Sequence, residues 1–344
     1  MTGSKTSVVI PTYNGSRFIR EAIESVLAQT LPPDEIIVVD DRSTDSTCEV
    51  VSAIAETSPI PLRLIRLEQN SGGPSKPTNV GVQAATGDII AVLDQDDVFH
   101  PEKLARQVPV LANNPDYSLV FSWSQKLGAN DCESATSSVA RELEQDAIPR
   151  TGFLEIRQQV AIEAMLRYGT FVKGYPGFIF RREDFLAKGG ADESLRIAGD
   201  LDLISWLAIH ARVALVPFVC YSYREHESNA CRRRAAMWIE LARVWTSIFD
   251  RQPELRSQRK LVLNCTKSIA VIAWWFREGG CYSEALEAHL LLRKLGVART
   301  ALAVADAKVW LHRACTSVGL RKTVDNSFTG LPATAESLEV CSAL

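Results

Sequence analysis

The sequence predicts an α/β protein with one domain built on a mainly parallel central sheet, followed by a helical C-terminal region. Three observations carry that prediction. Through the first two thirds of the chain, short β-branched runs alternate with apolar residues at helical spacing, the pattern of βαβ units. Two acidic clusters follow directly on such runs, at the strand ends where open α/β sheets place their ligands. From Arg233 onward alanine, leucine, tryptophan and arginine dominate and strand signals stop. The expected organisation is a domain over 1–234, a helical region over 235–330 and an unpatterned tail over 331–344.

Taken in order, Ser7-Val8-Val9-Ile10 reads as the first strand, stopped by Pro11. Phe18, Ile19, Ala22, Ile23, Val26 and Leu27 recur at helical spacing between Arg17 and Gln29, and Pro32-Pro33 ends that helix. Ile36 to Val39 is a buried second strand, and Ser43 to Asp45 offer N-cap chemistry for a helix carrying Val50, Val51 and Ile54. Leu62 to Leu67 is the third strand; Asn79 to Ala85 is a short helix closed by Gly87. Ile89 to Leu93 forms the fourth strand and runs into Asp94-Gln95-Asp96-Asp97. Pro101 suits the first turn of a helix that Pro109 should kink or end. The stretch 124–150 is polar and reads as a loop or insertion. Phe178 to Arg181 is a strand leading into a helix that ends at Gly189-Gly190. Leu201 to His210 is a helix, and Arg212 to Val216 and Cys220 to Arg224 are two further strands.

Bulk properties exclude several classes. A net charge of −3 over 344 residues gives no basic field to hold a nucleic-acid backbone, so no nucleic acid is expected as a partner. The eight cysteines are scattered singly with no CxxC pair, which leaves a zinc cluster or dithiol site without support. No signal-peptide pattern precedes the first strand, and the longest strongly apolar run, Ile269 to Phe276, is far short of the roughly 20 residues of a membrane span. A cytoplasmic setting is the default expectation, with peripheral contact at the inner membrane face left open. Arg232-Arg233-Arg234 reads as a solvated helix start or as a contact for a phosphorylated lipid or anionic membrane. The tryptophan-rich 269–276 segment reads as a packed core helix, with an interfacial role as the alternative.

The chemistry concentrates in the acidic clusters. Asp94, Asp96 and Asp97 place three carboxylates within four residues, so a positive partner is expected nearby. Alternation along an extended chain turns Asp94 and Asp96 to the same side, which suits a hard divalent cation; the alternative is a solvated turn or helix cap. In the second cluster, Asp40 to Asp45, a carboxylate can accept a hydrogen bond from a base or ribose, while Ser43 or Asp45 caps the next helix. Asp200 precedes a helix whose Leu203, Ile204, Leu207 and Ala208 face a core, so it reads as a helix cap or as a base. Asp202 lies about 200° around that helix, so only one of the two can face a substrate.

With these blocks in this order, the sequence resembles the family-2 inverting glycosyltransferases, whose fold is called GT-A. Val8-Val9-Ile10-Pro11-Thr12-Tyr13-Asn14 looks like their opening strand and nucleotide loop, and Asp40-Asp41-Arg42-Ser43-Thr44-Asp45 is similar to their DDxSxD block. Asn70 to Lys76, Asn79-Val80-Gly81 and Ala85 to Asp88 resemble the donor loop and helix, and Leu93-Asp94-Gln95-Asp96-Asp97 looks like the metal-binding DxD. The resemblance continues more loosely through Phe180-Arg181-Arg182, Gly189-Gly190, Ala198 to Asp202 and Tyr223 to His226.

That resemblance implies a metal-dependent enzyme moving a hexose or N-acetylhexosamine from a UDP-sugar to a hydroxyl of a saccharide or lipid-linked acceptor. It implies that Pro11, Tyr13 and Asp41 hold the nucleoside with Asp40 beside them, that Lys76 and Asn79 line the donor, and that Asp94 and Asp96 hold Mg²⁺ or Mn²⁺ and the diphosphate. Asp200 is then the catalytic base. Lys76 reads as a phosphate partner or a solvated charge, and His226 as a metal ligand or a loop residue. Two departures stand out: Thr78 replaces the arginine of many members, and Gly199 replaces their glutamate. Competing readings are a nucleotide-sugar-binding scaffold without turnover and a nucleotidyltransferase, although Pro11 to Gly15 carries no lysine for the latter. A dehydrogenase would need a GxGxxG after the first strand, which is missing.

Overall fold

The computed structural model describes residues 4–127, 138–172, 174–227 and 234–296. The chain divides into two compact units, Met1–Ala164 with Thr170–Asn229, and Met165–Gly169 with Ala230–Leu344. The tail 331–344, residues 297–330 of the expected helical region, and Arg232 and Arg233 lie outside the described residues.

In the first unit the chain runs β1 (Thr6–Thr12), α1 (Ile19–Leu27), β2 (Glu35–Asp40), α2 (Thr47–Ala55), β3 (Leu62–Arg66), α3 (Ser75–Ala84) and β4 (Ile89–Val92). It continues with β5 (Val98–Phe99), α4 (Lys103–Asn113), β6 (Tyr117–Lys126), α5 (Ser138–Gln145), β7 (Ile148–Arg150), β8 (Phe153–Ile156) and α6 (Gln158–Tyr168), whose last turn counts with the second unit. Then follow β9 (Phe178–Arg181), α7 (Arg182–Lys188), α8 (Gly199–His210) and β10 (Arg212–Tyr223). These strands form one ten-stranded sheet in the order β3-β2-β1-β4-β9-β6-β10-β8-β7, with β5 paired to β10. The longer registers, β1 with β2 and β4, β2 with β3 and β6 with β10, are parallel; the short antiparallel pairings belong to β9, β8, β7 and β5.

Every residue of β1, β2 and β4 is buried, which is why these runs read as continuously apolar instead of alternating. On one face α3 packs so closely that a Cβ on Gly81 would stand 2.3 Å from Val9 Cγ1 and 3.2 Å from Val39 Cγ2. Only glycine admits that approach, so the residue that weakens α3 as an isolated helix is the one that docks it. The turn leading into β4 is held by Glu35, whose carboxylate accepts from Ser7 Oγ (2.7 Å), the Thr86 amide (2.6 Å) and Arg63 Nη2 (2.8 Å). Burial pushes its pKa up, but the Thr86, Ser7 and Arg63 bonds outweigh burial and hold it at about 2.

Four expectations need correction. Helix α3 begins at Ser75, four residues before the expected start, because Pro77 falls in its first turn where no amide donor is required. Helix α4 runs through Pro109 to Asn113; Val110 and Leu111 are buried beyond it, and Arg181 Nη2 caps the Leu111 carbonyl at 2.7 Å. The two strands expected over 212–224 are one, β10, whose register against β6 shifts between Val216 and Val219, so an irregularity absorbs Pro217. The 124–150 stretch, expected as a loop, holds the end of β6, α5 and β7, with 128–137 outside the described residues.

In the second unit α9 (Arg234–Arg251), α10 (Arg259–Glu278) and α11 (Tyr282–Lys294) pack against one another, joined by short connections. Trp245, Phe249, Cys265, Ile269, Ile272 and Phe276 are buried, and Trp245 Nε1 donates to the Met165 carbonyl at 2.9 Å. The tryptophan-rich segment thus contributes core residues. Among the described residues no helix is long and apolar enough to cross a membrane.

Candidate active site

The parallel strands β1, β2 and β4 end side by side, and the loops that follow them are stitched together. The Asp41 amide donates to the Thr12 carbonyl (2.8 Å), the Asn14 amide to Ser43 Oγ (2.8 Å), the Gly15 amide to Thr47 Oγ1 (2.9 Å) and the Ser16 amide to Asp45 Oδ2 (3.1 Å). Asp45 also accepts the Thr47 amide, the first of α2, but the residue at the N-cap is Ser46, neither of the two expected, and Ser43 instead supports the first loop.

The two aspartates after β2 point to different partners. Asp40 is fully buried; its carboxylate accepts the Ser43 amide (3.1 Å) and pairs with Arg66 Nε (3.3 Å). Asp41 accepts both the amide (2.9 Å) and the hydroxyl (2.9 Å) of Ser71, which pins the Asn70–Gly73 loop. Burial raises the Asp41 pKa against the lowering effect of the Ser71 and Gly72 bonds, and the Asp40 charge adds to the rise. Asp40 thereby braces the strand end, while Asp41 shapes the Asn70–Gly73 loop; the Tyr13 ring is exposed.

After β4 the chain folds tightly, the Asp97 amide donating to the Asp94 carbonyl at 3.1 Å. Between the carboxylates, the Gln95 amide reaches the loop after β1: its Oε1 accepts Thr12 Oγ1 (2.5 Å) and the Tyr13 amide (2.9 Å), and its Nε2 donates to the Tyr13 carbonyl (3.1 Å). A Cβ on Gly15 would stand 2.2 Å from Gln95 Oε1, so that glycine leaves the space the clamp fills. Asp94 sits where the charges of Asp97, Asp96 and Asp200 all act on it; burial first, then these three carboxylates, push its pKa well above the ordinary range. Asp94, Asp96, Asp97 and Asp200 therefore converge on one region.

The end of β10 closes the other side. The Arg224 amide donates to Asp97 Oδ1 (2.9 Å), its Nε donates to the Asp96 carbonyl (2.9 Å) and its Nη2 pairs with Glu21 (2.5 Å). His226 Nε2 lies 2.7 Å from Asp96 Oδ2, with its ring 5.0 Å from that of Phe18. His226 is thus placed against the very carboxylate expected to bind a cation.

The two acidic residues in the first turn of α8 have separate surroundings. Asp202 Oδ2 pairs with Lys188 Nζ at 2.7 Å, both side chains nearly buried; the Asp200 charge acts on Asp94, Tyr175 and Tyr221, and Tyr175 feels Asp202 as well. A Cβ on Gly199 would stand 2.4 Å from Ser75 Oγ, which itself donates to the Leu195 carbonyl at 2.8 Å. The departure at 199 is therefore matched by Ser75, which fills the place of a side chain there.

Of the remaining sequence candidates, Pro11 is buried in β1 opposite Val39, and Lys76 is exposed in the first turn of α3. Asn79 is bonded away from the Asp94–Asp97 turn: its Nδ2 donates to the Ala191 carbonyl (3.0 Å) and Glu193 Oε1 (3.1 Å), and its Oδ1 accepts the Ala191 amide (2.7 Å). That bonding occupies its whole amide group in holding the 190–193 loop. Thr78 is fully buried in α3. Sequence reasoning gave no role to Gln95, Arg224, Lys188 or Tyr175, although the Gly-Tyr-Pro-Gly run around Tyr175 is a local turn signal.

Among the described residues no three His, Cys, Asp or Glu side chains form a ready-made metal cage. The donor set nevertheless suits a hard cation: clustered carboxylates whose mutual repulsion falls on Asp94, of the type that holds Mg²⁺ by one or two oxygens and leaves the other positions to water and phosphate.

Comparison with known proteins agrees with this geometry. A curated relative, the succinoglycan biosynthesis protein ExoO of Rhizobium meliloti, is 32% identical over 232 residues, 65% of this chain and 62% of its own. The poly(ribitol-phosphate) β-N-acetylglucosaminyltransferase TarS of Staphylococcus aureus is 40% identical over 102 residues, 29% of this chain and 18% of its own. The matched stretches thus span less than two thirds of either relative. Among solved structures, TarS residues 1–349 in complex with UDP-GlcNAc superposes with a TM-score of 0.54 at 18% identity, covering 85% of this chain and 90% of that one. The mannosyltransferase PcManGT of Pyrobaculum calidifontis, in complex with GDP-Man and Mn²⁺, gives 0.56 at 20% identity, covering 94% and 82%. These two likenesses establish the fold, the GT-A architecture with a helical C-terminal region expected from the sequence. The sequence pattern of glycosyl transferase family 2 matches residues 7–186, more than half of the chain, and the chain belongs to that family.

Proposed function

We propose that this glycosyltransferase is metal-dependent and inverting, and that it moves a hexose or N-acetylhexosamine from a UDP-sugar to a hydroxyl of a polysaccharide, glycolipid or glycoconjugate. The observation that carries the reading is the convergence of Asp94, Asp96 and Asp97 with Asp200, from two distant parts of the sequence, on one region. Asp94 and Asp96 are the residues that would hold Mg²⁺ or Mn²⁺, with His226 fixing the Asp96 carboxylate or joining it as a ligand. A cation bound there would supply neutralisation of the charge that grows on the departing diphosphate.

The chain's own part follows from the placements above. The Tyr13 ring offers a face for the base, Asp41 and the Ser71 loop border the nucleoside beside Pro11, and Lys76 is free to approach a phosphate. Asp200 accepts the proton of the acceptor hydroxyl as that oxygen attacks the anomeric carbon from the face opposite the leaving diphosphate. The bond from carbon to the donor's phosphate oxygen breaks as the new glycosidic bond forms, and the nucleoside diphosphate departs. Asp202 is unsuited to this task because Lys188 already holds its carboxylate.

UDP as the carrier is supported by the TarS complex with UDP-GlcNAc, and a saccharide acceptor by the succinoglycan relative. The GDP-Man complex of PcManGT means that the shared fold does not choose the base. The test is incubation of the purified protein with UDP-, GDP- and dTDP-sugars, with and without Mn²⁺, and candidate acceptors. Metal-dependent UDP release is expected. Release only from GDP- or dTDP-sugars overturns the donor assignment, and tight binding without release under any condition establishes a scaffold instead.

A further inference from the structure

We infer that Tyr175 is a specificity-determining residue whose hydroxyl donates a hydrogen bond to an oxygen of the transferred sugar. This rests on the glycosyl-transfer reading above and adds the residue that contacts the sugar. Tyr175 opens a 3-10 turn, Tyr175–Gly177, entered through Gly174 at φ 73°, a conformation that favours glycine. Its ring is 3% exposed and stacks on Phe178 with centroids 5.7 Å apart, so the hydroxyl is held in one place.

That place lies between the two ends of the proposed reaction. At one end of the turn, a Cβ on Gly174 would stand 3.7 Å from Asp94 Oδ2, the carboxylate assigned to the diphosphate side. At the other, the Tyr175 hydroxyl lies 3.8 Å from where a Cβ on Gly199 would stand, beside the base Asp200. In an inverting displacement the sugar occupies the space between leaving group and base. The nucleoside belongs elsewhere, with Tyr13 and Asp41 after β1 and β2.

The hydroxyl is buried and has no hydrogen-bond partner among the described residues. Folded proteins rarely leave such a group unsatisfied, since doing so costs about 1–3 kcal/mol, so an oxygen of the ligand is the expected partner. Burial and the charges of Asp200 and Asp94 raise the phenol pKa further, which keeps the proton on the oxygen and makes it a donor.

The test compares wild type with Tyr175→Phe by calorimetric titration of UDP and of the UDP-sugar selected by the panel, in Mn²⁺ without acceptor, together with thermal melting of the free protein. The expected result is UDP affinity unchanged within about twofold, UDP-sugar affinity lowered roughly tenfold, and a melting temperature equal to or above wild type. Equal weakening of UDP and UDP-sugar, or no weakening of either, overturns the assignment. A lowered melting temperature overturns it too, because it shows that the hydroxyl serves the free fold. If wild type binds no nucleotide at all, the glycosyl-transfer reading itself fails; if wild type binds and Tyr175→Phe matches it, only the tyrosine assignment fails.

Discussion

Lys103 offers a sharp test of the packing argument. Its side chain is fully buried in the first turn of α4, with Nζ donating to Gln107 Oε1 at 2.5 Å and lying 4.8 Å from the Phe99 ring centre. Burial lowers its pKa from 10.5 to about 8. A group with a lowered folded pKa binds its proton more weakly in the native state, so below pH 8 the fold carries a penalty of about 3 kcal/mol, from 1.36 kcal/mol per unit. That penalty is relieved as pH rises from 8 towards 10.5, where the unfolded chain still holds the proton and the native one has lost it. Replacing the lysine by methionine keeps the length and removes the charge. It also removes the Gln107 bond and the ring contact, together worth about 1–2 kcal/mol. Lys103→Met should therefore stabilise the protein by about 1–2 kcal/mol at pH 7, and that advantage should shrink by about 2–3 kcal/mol by pH 10. Urea unfolding of both proteins across pH 7 to 10 gives the difference curve. A flat curve, or a variant less stable than wild type at pH 7, refutes the account of Lys103 as a buried, penalised cation.

Two further substitutions separate catalysis from scaffolding. Asp200→Asn should reduce turnover at least about 100-fold with UDP affinity retained, whereas Asp202→Asn should lower stability by about 3 kcal/mol through the orphaned Lys188 and leave turnover per folded molecule nearly intact; the reverse pattern in steady-state kinetics and melting would exchange their roles. Gly81→Ala should cost about 1–3 kcal/mol in urea unfolding, because its new methyl meets Val9 at 2.3 Å, and a neutral result would show that α3 can lift from the sheet.

The parts of this protein legible in the sequence were those written in local pattern. The buried runs of β1, β2 and β4 and the carboxylates at their ends declare both strand and site edge, because full burial and ligand chemistry each leave a continuous signature. Strand β6 was missed because the buried polar residues Ser118, Ser122 and Ser124 interrupt its apolar run, and their burial is visible only once β9 and β10 flank them. The start of α3 was hidden by Pro77, which reads as a breaker although a first turn accepts it, and the helix signal was weakened by Gly81, whose lack of a side chain admits Val9 and Val39. Within the site, the different surroundings of Asp200 and Asp202 needed Lys188, which is remote in pattern though paired with Asp202 in space. Asn79 shows the converse: a family-like motif placed it at the donor, and its hydrogen bonds tie it to the 190–193 loop.

The amide of Gln95 has a consequence for how the pocket responds to its contents. By holding the Thr12 hydroxyl and the Tyr13 backbone amide and carbonyl together, it ties the carboxylate turn after β4 to the loop after β1. On the proposed donor placement, a ligand fragment that settles against Tyr13 alone should therefore already stiffen the carboxylate turn, and one that binds the carboxylates should steady the tyrosine. The two halves of a nucleotide sugar should reinforce each other's binding through this single side chain, beyond what their common covalent linkage provides.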